Sequence, residues 1–415
     1  MQRADSDAVT DAASAPAPAV AGTAAARVNL LGLPRAELEA LCVSLGSRPF
    51  RGRQLMGWLY KRGCDRFEDM TDLAREFRAA LAEGAEVRLP SILTVQHASD
   101  GTTKWLLAAG DSQAFEMVYI PEADRGTLCI SSQVGCALDC AFCSTAQQGF
   151  NRNLSTAEMV GQVWLANREL GFKAGGERII TNVVLMGMGE PLANFRNVVP
   201  ALQILLDDLG FDLSRRRVTL STSGLVPQIY RLARYSNVAL AVSLHAPDDA
   251  LRSQLVPINR IHPIDELLEA CWHYIDEQNG RSVTFEYVML EGVNDSLAQA
   301  RALGRLLRGH PAKVNLIPFN PFPGTPFRRS SDEVIVAFRD ELNRAGVIAT
   351  IRRPRGLDID AACGQLVGRV QDRTVVRLGR KIAAAHSQRL HSGAANGRAA
   401  APRESAPAAH VVSTL

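Results

Sequence analysis

From about residue 115 onward, short apolar runs of strand length alternate with amphipathic segments of helical period, and this alternation constrains the fold more than any other feature of the chain. The strand-like runs are 127–131, 181–186, 217–221, 238–243, 283–290 and 313–318. Between the first two, Ser155 with Glu158 three residues on makes a capping box. The helix it opens carries Met159, Val160, Val163 and Leu170 on one face. Such alternation predicts parallel strands joined by right-handed crossovers. Six units predict an α/β chain with an incomplete (β/α)6 barrel. A flat doubly wound sheet has the same periodicity, and periodicity does not separate the two.

The remainder is organised differently. Residues 29–90 have apolar positions at helical spacing, with Pro34 ahead of Leu38, Leu41 and Cys42 at a first helical position. A second helix is predicted around Leu55, Trp58, Leu59 and Tyr60, and a third around Leu73, Phe77 and Leu81. This predicts a small helical accessory domain. A strand-rich connector follows over 91–121, with runs at 92–95 and 104–107 about an Asp100-Gly101 turn, and a further strand over 115–120. A catalytic barrel is expected over 122–375. The ends, 1–27 and 385–415, are rich in Ala, Pro and Ser without an apolar face, and are expected to be disordered.

Four of the eight cysteines fall within fifteen positions, Cys129 on the predicted strand 127–131 and Cys136, Cys140 and Cys143 in the loop just after it. No apolar run reaches the ~20 residues of a membrane helix, and the acidic N-terminus lacks the basic start of a secretion signal. A cytoplasmic location without membrane is therefore expected, where crowded cysteines signal metal or redox chemistry. Cys136-x3-Cys140-x2-Cys143 suits an iron–sulfur cluster held by thiolates. Three ligands leave one iron open, and the amino and carboxylate groups of S-adenosylmethionine suit that iron. A structural zinc site would want a fourth ligand, often from a second Cys/His pair, and no such pair follows.

On these residues the chain resembles the radical-SAM superfamily. The stretch 125–150, with Met186-Gly187-Met188-Gly189-Glu190-Pro191, Ser221-Thr222-Ser223-Gly224, Ser243-Leu244-His245, Pro318-Phe319-Asn320-Pro321 and Asp360-Ala361-Ala362-Cys363-Gly364, resembles the RlmN-type adenine-C2 RNA methyltransferases. The barrel expected above is then the radical-SAM barrel. The rim motifs sit at or just past predicted strand ends, where β/α barrels build active sites. The resemblance implies that Gly189, Glu190, Ser221, Ser243, Leu244, His245 and Asn320 hold S-adenosylmethionine, with Ser223 an alternative to Ser221. It implies a [4Fe–4S] cluster and two molecules of S-adenosylmethionine per turnover. One methylates Cys363. The second gives a radical that takes a hydrogen from that methyl group, and the carbon then adds to adenine. Cys129 resolves the adduct through a transient disulfide with Cys363, and Glu116 accepts the ring proton.

Carbon 2 of adenine is electron-poor and has no acidic proton, so radical addition suits it where ordinary methyl transfer does not. The resemblance implies 23S rRNA near the peptidyl-transferase centre as substrate, tRNA next to the anticodon as a second, and a flavodoxin-like or ferredoxin-like electron donor. The formal net charge of +3 makes no case for nucleic acid by itself. Local clusters do: Arg48, Arg51 and Arg53; Lys61 and Arg62; Arg215, Arg216 and Arg217; and Arg352, Arg353 and Arg355. Phe50, Trp58 and Tyr60 interleave with the first two, which predicts stacking on unpaired bases. The rivals are a Cfr-type enzyme acting on carbon 8, a glycyl-radical activase, which needs no Cys129/Cys363 pair, and a metal-stabilised RNA-binding protein without activity. Cys42, Cys64 and Cys271 lie in helical segments and are read as packing residues.

Overall fold

The structure is a computed structural model that describes residues 27–110, 112–278 and 282–374. The two expected disordered tails lie outside the described residues, apart from Arg27. The chain begins with a helical unit. Its helices are α1 (Arg35–Ser44), α2 (Phe50–Met56) and α3 (Arg75–Gly84). Strands β1 (Val28–Asn29) and β2 (Ala85–Glu86) pair in parallel and bring its two ends together. Pro34 caps α1 rather than opening its first turn. The second predicted helix is split, since Trp58, Leu59 and Tyr60 lie in a π-helical turn, Gly57–Lys61, that continues α2.

The centre of the molecule is a ten-stranded sheet. It begins with β3 (Ile92–His97), β4 (Thr103–Ala108), β5 (Ala114–Glu122) and β6 (Arg125–Cys129). A small antiparallel pair, β7 (Gln133–Gly135) and β8 (Phe150–Asn153), is set apart from it. The sheet resumes with β9 (Asn182–Leu185), β10 (Val218–Thr222), β11 (Ala239–Ser243), β12 (Val283–Met289), β13 (Ala312–Pro318) and β14 (Ile348–Ile351). The spatial order is β14-β13-β12-β11-β10-β9-β6-β5-β4-β3. Pairing is parallel from β6 through β14 and antiparallel from β3 to β6. All six predicted parallel strands are present. The sheet is open, as an incomplete barrel must be, and β14 extends it by one parallel strand that the sequence did not announce. Its run is only four residues long, with Ile348 exposed.

Helices fill the crossovers: α4 (Ser144–Gln147), α5 (Thr156–Glu169), α6 (Phe195–Leu206), α7 (Val226–Tyr235), α8 (Asp249–Leu255), α9 (Ile264–Gln278), α10 (Leu297–Leu307) and α11 (Asp332–Arg344). The predicted capping box is formed, with the Ser155 hydroxyl accepting from the Glu158 amide and the Glu158 carboxylate accepting from that of Ser155. Central strands are covered on both sides, so β12 buries Val283, Phe285, Tyr287 and Met289 together with Glu286 and Val288. No separate core divides the helical unit from the barrel. Leu30, Leu38, Leu55 and Leu59 belong to the same buried cluster as Val160, Leu185 and Phe285. Trp164 of α5 donates its indole N–H to the Leu59 carbonyl at 2.8 Å. Among the described residues no helix is long and apolar enough to cross a membrane.

After β14 the chain turns back across the mouth of the sheet. Arg369 bridges to Ala114 of β5, and the Ser144 amide donates to the Gly364 carbonyl at 2.8 Å. This return carries residues 352–374 over the ends of the parallel strands and places Cys363 there.

Candidate active site

The cysteine loop is built to be tight. Gly135 has φ +79°, and a Cβ there would meet the Gly149 carbonyl at 2.0 Å. Asp139, between the first two cysteines, is also left-handed at φ +54°. The Cys136 amide donates to Gly149, the Ala141 amide to Leu255 at the end of α8, and the Cys143 amide to Cys140. Cys136 and Cys140 are buried among Leu138, Leu255, Val288 and Phe319, and Cys143 is half-buried. Burial pushes all three thiols up, that of Cys140 to about 12, and Cys140 and Cys143 raise that of Cys136 further. Among the described residues no three His, Cys, Asp or Glu side chains are grouped around a single metal ion. Three soft thiols on one loop suit a multi-iron cluster, whose binding removes their protons.

Beside this loop is a cavity of about 150 Å³ lined by Cys143, Gly189, Glu190, Ser221, Ser243 and His245 among others. Gly189 has φ +97°, and a Cβ would meet Gln133 at 2.4 Å, so glycine is required by packing whatever else the position does. Glu190 is buried, and its carboxylate accepts from the Ser223 amide at 2.7 Å and the Leu192 amide at 3.0 Å. Ser221 and Ser223 both line the cavity. The Ser223 hydroxyl lies 3.8 Å from the Cys140 sulfur. His245 adopts φ +60°. Its Nδ1 accepts from the Val288 amide at 2.9 Å, which leaves the proton on Nε2. That buried Nε2–H has no protein partner. A donor orphaned at a polar cavity fits a ligand rich in acceptors, as S-adenosylmethionine is. Burial first, and the Arg252 charge second, push the His245 imidazole down to about 3, so it stays neutral.

Two predicted cofactor residues lie elsewhere. Leu244 is fully buried and does not line the cavity. Asn320 lines a second, larger cavity, and its side-chain amide donates to the Cys363 carbonyl at 3.3 Å.

That second cavity, about 730 Å³, is lined by Cys129, Cys363, Asn182, Asn315 and the arginines Arg125, Arg352, Arg353 and Arg355. Cys363 and Arg352 line both cavities. Burial and the nearness of Cys363 push the Cys129 thiol up to about 12, and Arg352 acts against them. All eight cysteines are free thiols, so no disulfide joins Cys129 to Cys363 here. Arg352 is half-buried and faces Cys363, Glu286 and Cys129, which hold its guanidinium more firmly charged. Read from sequence as one of an RNA-binding trio, it stands at the partition between the cavities.

Glu116 lines neither cavity. It is buried, not on a solvated face as strand alternation also allowed, and pairs with Lys104 at 3.3 Å. Its other carboxylate oxygen accepts from the Val367 amide at 2.8 Å. Burial holds its carboxyl above the ordinary range in spite of Lys104. Sequence reasoning missed Lys104, whose only signal was a charge inside a strand-like run. The Lys104 ammonium also donates to the Asp360 carbonyl at 3.2 Å, so the pair ties β4 and β5 to the segment that carries Cys363.

The basic clusters separate. Arg215, Arg216 and Arg217 precede β10 and line neither cavity, although Arg217 donates to the side chain of Asn182, which lines the larger one, at 3.0 Å. Trp58 and Tyr60 are not available to stack on bases. Both are buried, Trp58 under the Arg62 guanidinium at 3.9 Å and Tyr60 against Phe211 at 5.1 Å. Apolar burial claimed these rings because the π-helical turn faces the shared core. Cys42 and Cys271 are buried and Cys64 is half-buried, which agrees with packing roles.

Comparison with known proteins adds to this geometry. Residues 28–87 match the family model described as the ribosomal RNA large subunit methyltransferase N-terminal domain, the RlmN type. Residues 130–302 match the radical SAM superfamily. A radical SAM methyltransferase from Sphaerobacter thermophilus, known from its crystal structure, is 47% identical with a TM-score of 0.76, over 82% of this chain and 99% of that one. SuiB of Streptococcus suis, solved with S-adenosylmethionine, matches at 14% identity and a TM-score of 0.41, over 54% of this chain and 49% of its own. A likeness that weak carries no functional weight.

Proposed function

The chain belongs to the RlmN-type radical SAM methyltransferases, and from that membership we propose that it methylates carbon 2 of adenine in 23S rRNA, and in tRNA next to the anticodon, through a methyl-cysteine intermediate on Cys363. Membership implies a [4Fe–4S] cluster and S-adenosylmethionine. Cys136, Cys140 and Cys143 would hold the cluster. Gly189, Glu190, Ser221, Ser243 and His245 would hold S-adenosylmethionine beside it, with Leu244 giving buried support and Asn320 acting from the Cys363 side. When bound, these groups supply the electron chemistry and the methyl carbon.

The observation that carries the reading is the position of Cys363 on the wall of both cavities. A thiol there can take up carbon from the smaller cavity and present it in the larger one. The Arg-lined volume of the larger cavity suits an extruded nucleotide, its phosphates drawn by Arg125, Arg353 and Arg355. Arg352 favours the anionic form of the Cys129 thiol. Glu116 is the proposed proton acceptor, and the Val367 amide must part from it before it can reach a ring. Cys129 then attacks the Cys363 sulfur. The S–S bond forms, the C–S bond breaks, and its electron pair leaves with the carbon, which takes a proton to become the methyl group. The resulting disulfide needs reduction, and a flavodoxin-like or ferredoxin-like donor is proposed for the cluster.

Mass spectrometry of nucleosides from a strain lacking this chain tests the position. 2-Methyladenosine should disappear from its large-subunit rRNA and return with the parent chain but not with Cys363→Ala. 8-Methyladenosine in its place, or an unchanged 2-methyladenosine content, would contradict the proposal.

A further inference from the structure

Arg252 of α8 has no part in the reading above, yet it is among the largest fully buried side chains in the molecule, with no exposed surface. All its hydrogen bonds go to uncharged oxygens. Nε donates to the Leu244 carbonyl at 3.2 Å, Nη1 to the Asn259 side chain at 2.6 Å, and Nη2 to the carbonyls of Ser223 at 2.8 Å and Ser243 at 2.9 Å. One guanidinium therefore joins the end of β10 and its following loop to the end of β11 and its following loop, the two segments that supply Ser221, Ser223, Ser243 and His245 to the smaller cavity.

A buried cation bonded only to neutral groups is costly unless an anion accompanies it. The groups that act on Arg252 electrostatically are Cys140, Cys271 and Asp249. Cys271 is a buried thiol pushed up to about 12 and therefore neutral. Asp249 is exposed and reaches Arg252 only through Asn259, whose side-chain amide donates to it at 2.8 Å. Cys140 remains. It lies across Ser223, whose hydroxyl is 3.8 Å from the Cys140 sulfur and whose carbonyl accepts from Arg252. The same short helix also holds the cysteine loop directly, through the Ala141 amide on the Leu255 carbonyl at 2.9 Å. Metal binding requires thiolates, so loading the cysteine loop places negative charge beside Arg252.

We propose that Arg252 is a positioning residue for the iron–sulfur cluster: it fixes the two loops that flank the cofactor, and its buried positive charge is the counter-charge of the cluster held by Cys136, Cys140 and Cys143. The inference rests on that cluster assignment. Its consequence is electrostatic. A fixed cation nearby favours the reduced, more negative cluster, so the residue makes the electron needed for cleavage easier to accept.

The test uses the full chain, reconstituted anaerobically with iron and sulfide, and reads the midpoint potential of the cluster by electron paramagnetic resonance. Arg252→Gln removes the charge. Asn259→Asp keeps the arginine and its hydrogen bond but supplies a local carboxylate, so it serves even if the first variant folds poorly. Both should make the cluster about tenfold harder to reduce, a shift of ~59 mV to more negative potential, whereas Arg252→Lys should stay near the parent. The gain in melting temperature on reconstitution should also shrink in Arg252→Gln, because a brace without an electrostatic role would weaken empty and loaded chains alike. An unchanged potential in both Arg252→Gln and Asn259→Asp would overturn the inference alone. Full iron loading of Cys136→Ala would overturn the cluster assignment and the inference with it.

Discussion

His245 shows how one residue serves fold and site together. Its left-handed backbone turns the chain at the end of β11, Nδ1 closes the Val288 amide, and the ring packs edge-on against Phe142 at 4.4 Å. Keeping the ring neutral has a measurable cost in acid. The unfolded chain takes up a proton near pH 6.5, whereas the folded chain holds out until about 3. This contribution is therefore complete above ~pH 6.5 and is lost as pH falls through that window, by up to about 1.4 kcal/mol per pH unit. Urea melts of the parent and His245→Gln at pH 7 and 4.5 should converge as the pH drops, and parallel loss in both would count against it. The three cysteines proposed as cluster ligands, His245 and Glu190 stood out because their types and spacing announce chemistry. Arg252 did not, since an arginine in Asp-Ala-Leu-Arg-Ser-Gln-Leu has the pattern of a solvated helix face. Glu116 and Lys104 were half legible, because a period of two assigns faces of a strand but not what will cover them.

At the scale of elements, the alternation of strands and helices was readable because each crossover leaves its own amphipathic mark. The joint between the helical unit and the barrel was not. It depends on which apolar faces meet, and sequence gives only that such faces exist. The meeting point is α5: a Cβ on Gly161 would lie 2.9 Å from Pro90, Trp164 bonds to Leu59, and a Cβ on Gly32 would lie 3.3 Å from Ala157. A shared core predicts that the two parts unfold together. Trp164→Ala removes a buried indole and its hydrogen bond, a loss of about 3–5 kcal/mol. Urea unfolding followed by far-UV circular dichroism and by limited proteolysis of the 28–87 segment should give coincident transitions, both moved to lower urea in the variant. Early cleavage of that segment while the barrel remains folded would show that the core is divided.

Over the whole molecule, the decisive event is the return of the chain after β14. It carries Cys363 from one side of the sheet back toward β5, over the cysteine loop, where it is held by Ser144 and Thr145 from the side of that loop and by Lys104 and Glu116 from the other. Nothing in the local sequence around Asp360-Ala361-Ala362-Cys363-Gly364 dictates that course. Family resemblance assigned the residue its role, and long-range hydrogen bonds give it the position. The central claim is that Cys363 carries carbon between two cavities and that Cys129 frees it again. Purified Cys129→Ala retains the carrier and lacks the resolving thiol, so its gel mobility before and after nuclease reads the claim directly. The account predicts a nuclease-sensitive crosslinked band in Cys129→Ala that is absent from Cys129→Ala/Cys363→Ala. Normal turnover without any crosslink in Cys129→Ala, or methylation of adenine by Cys363→Ala, would contradict it.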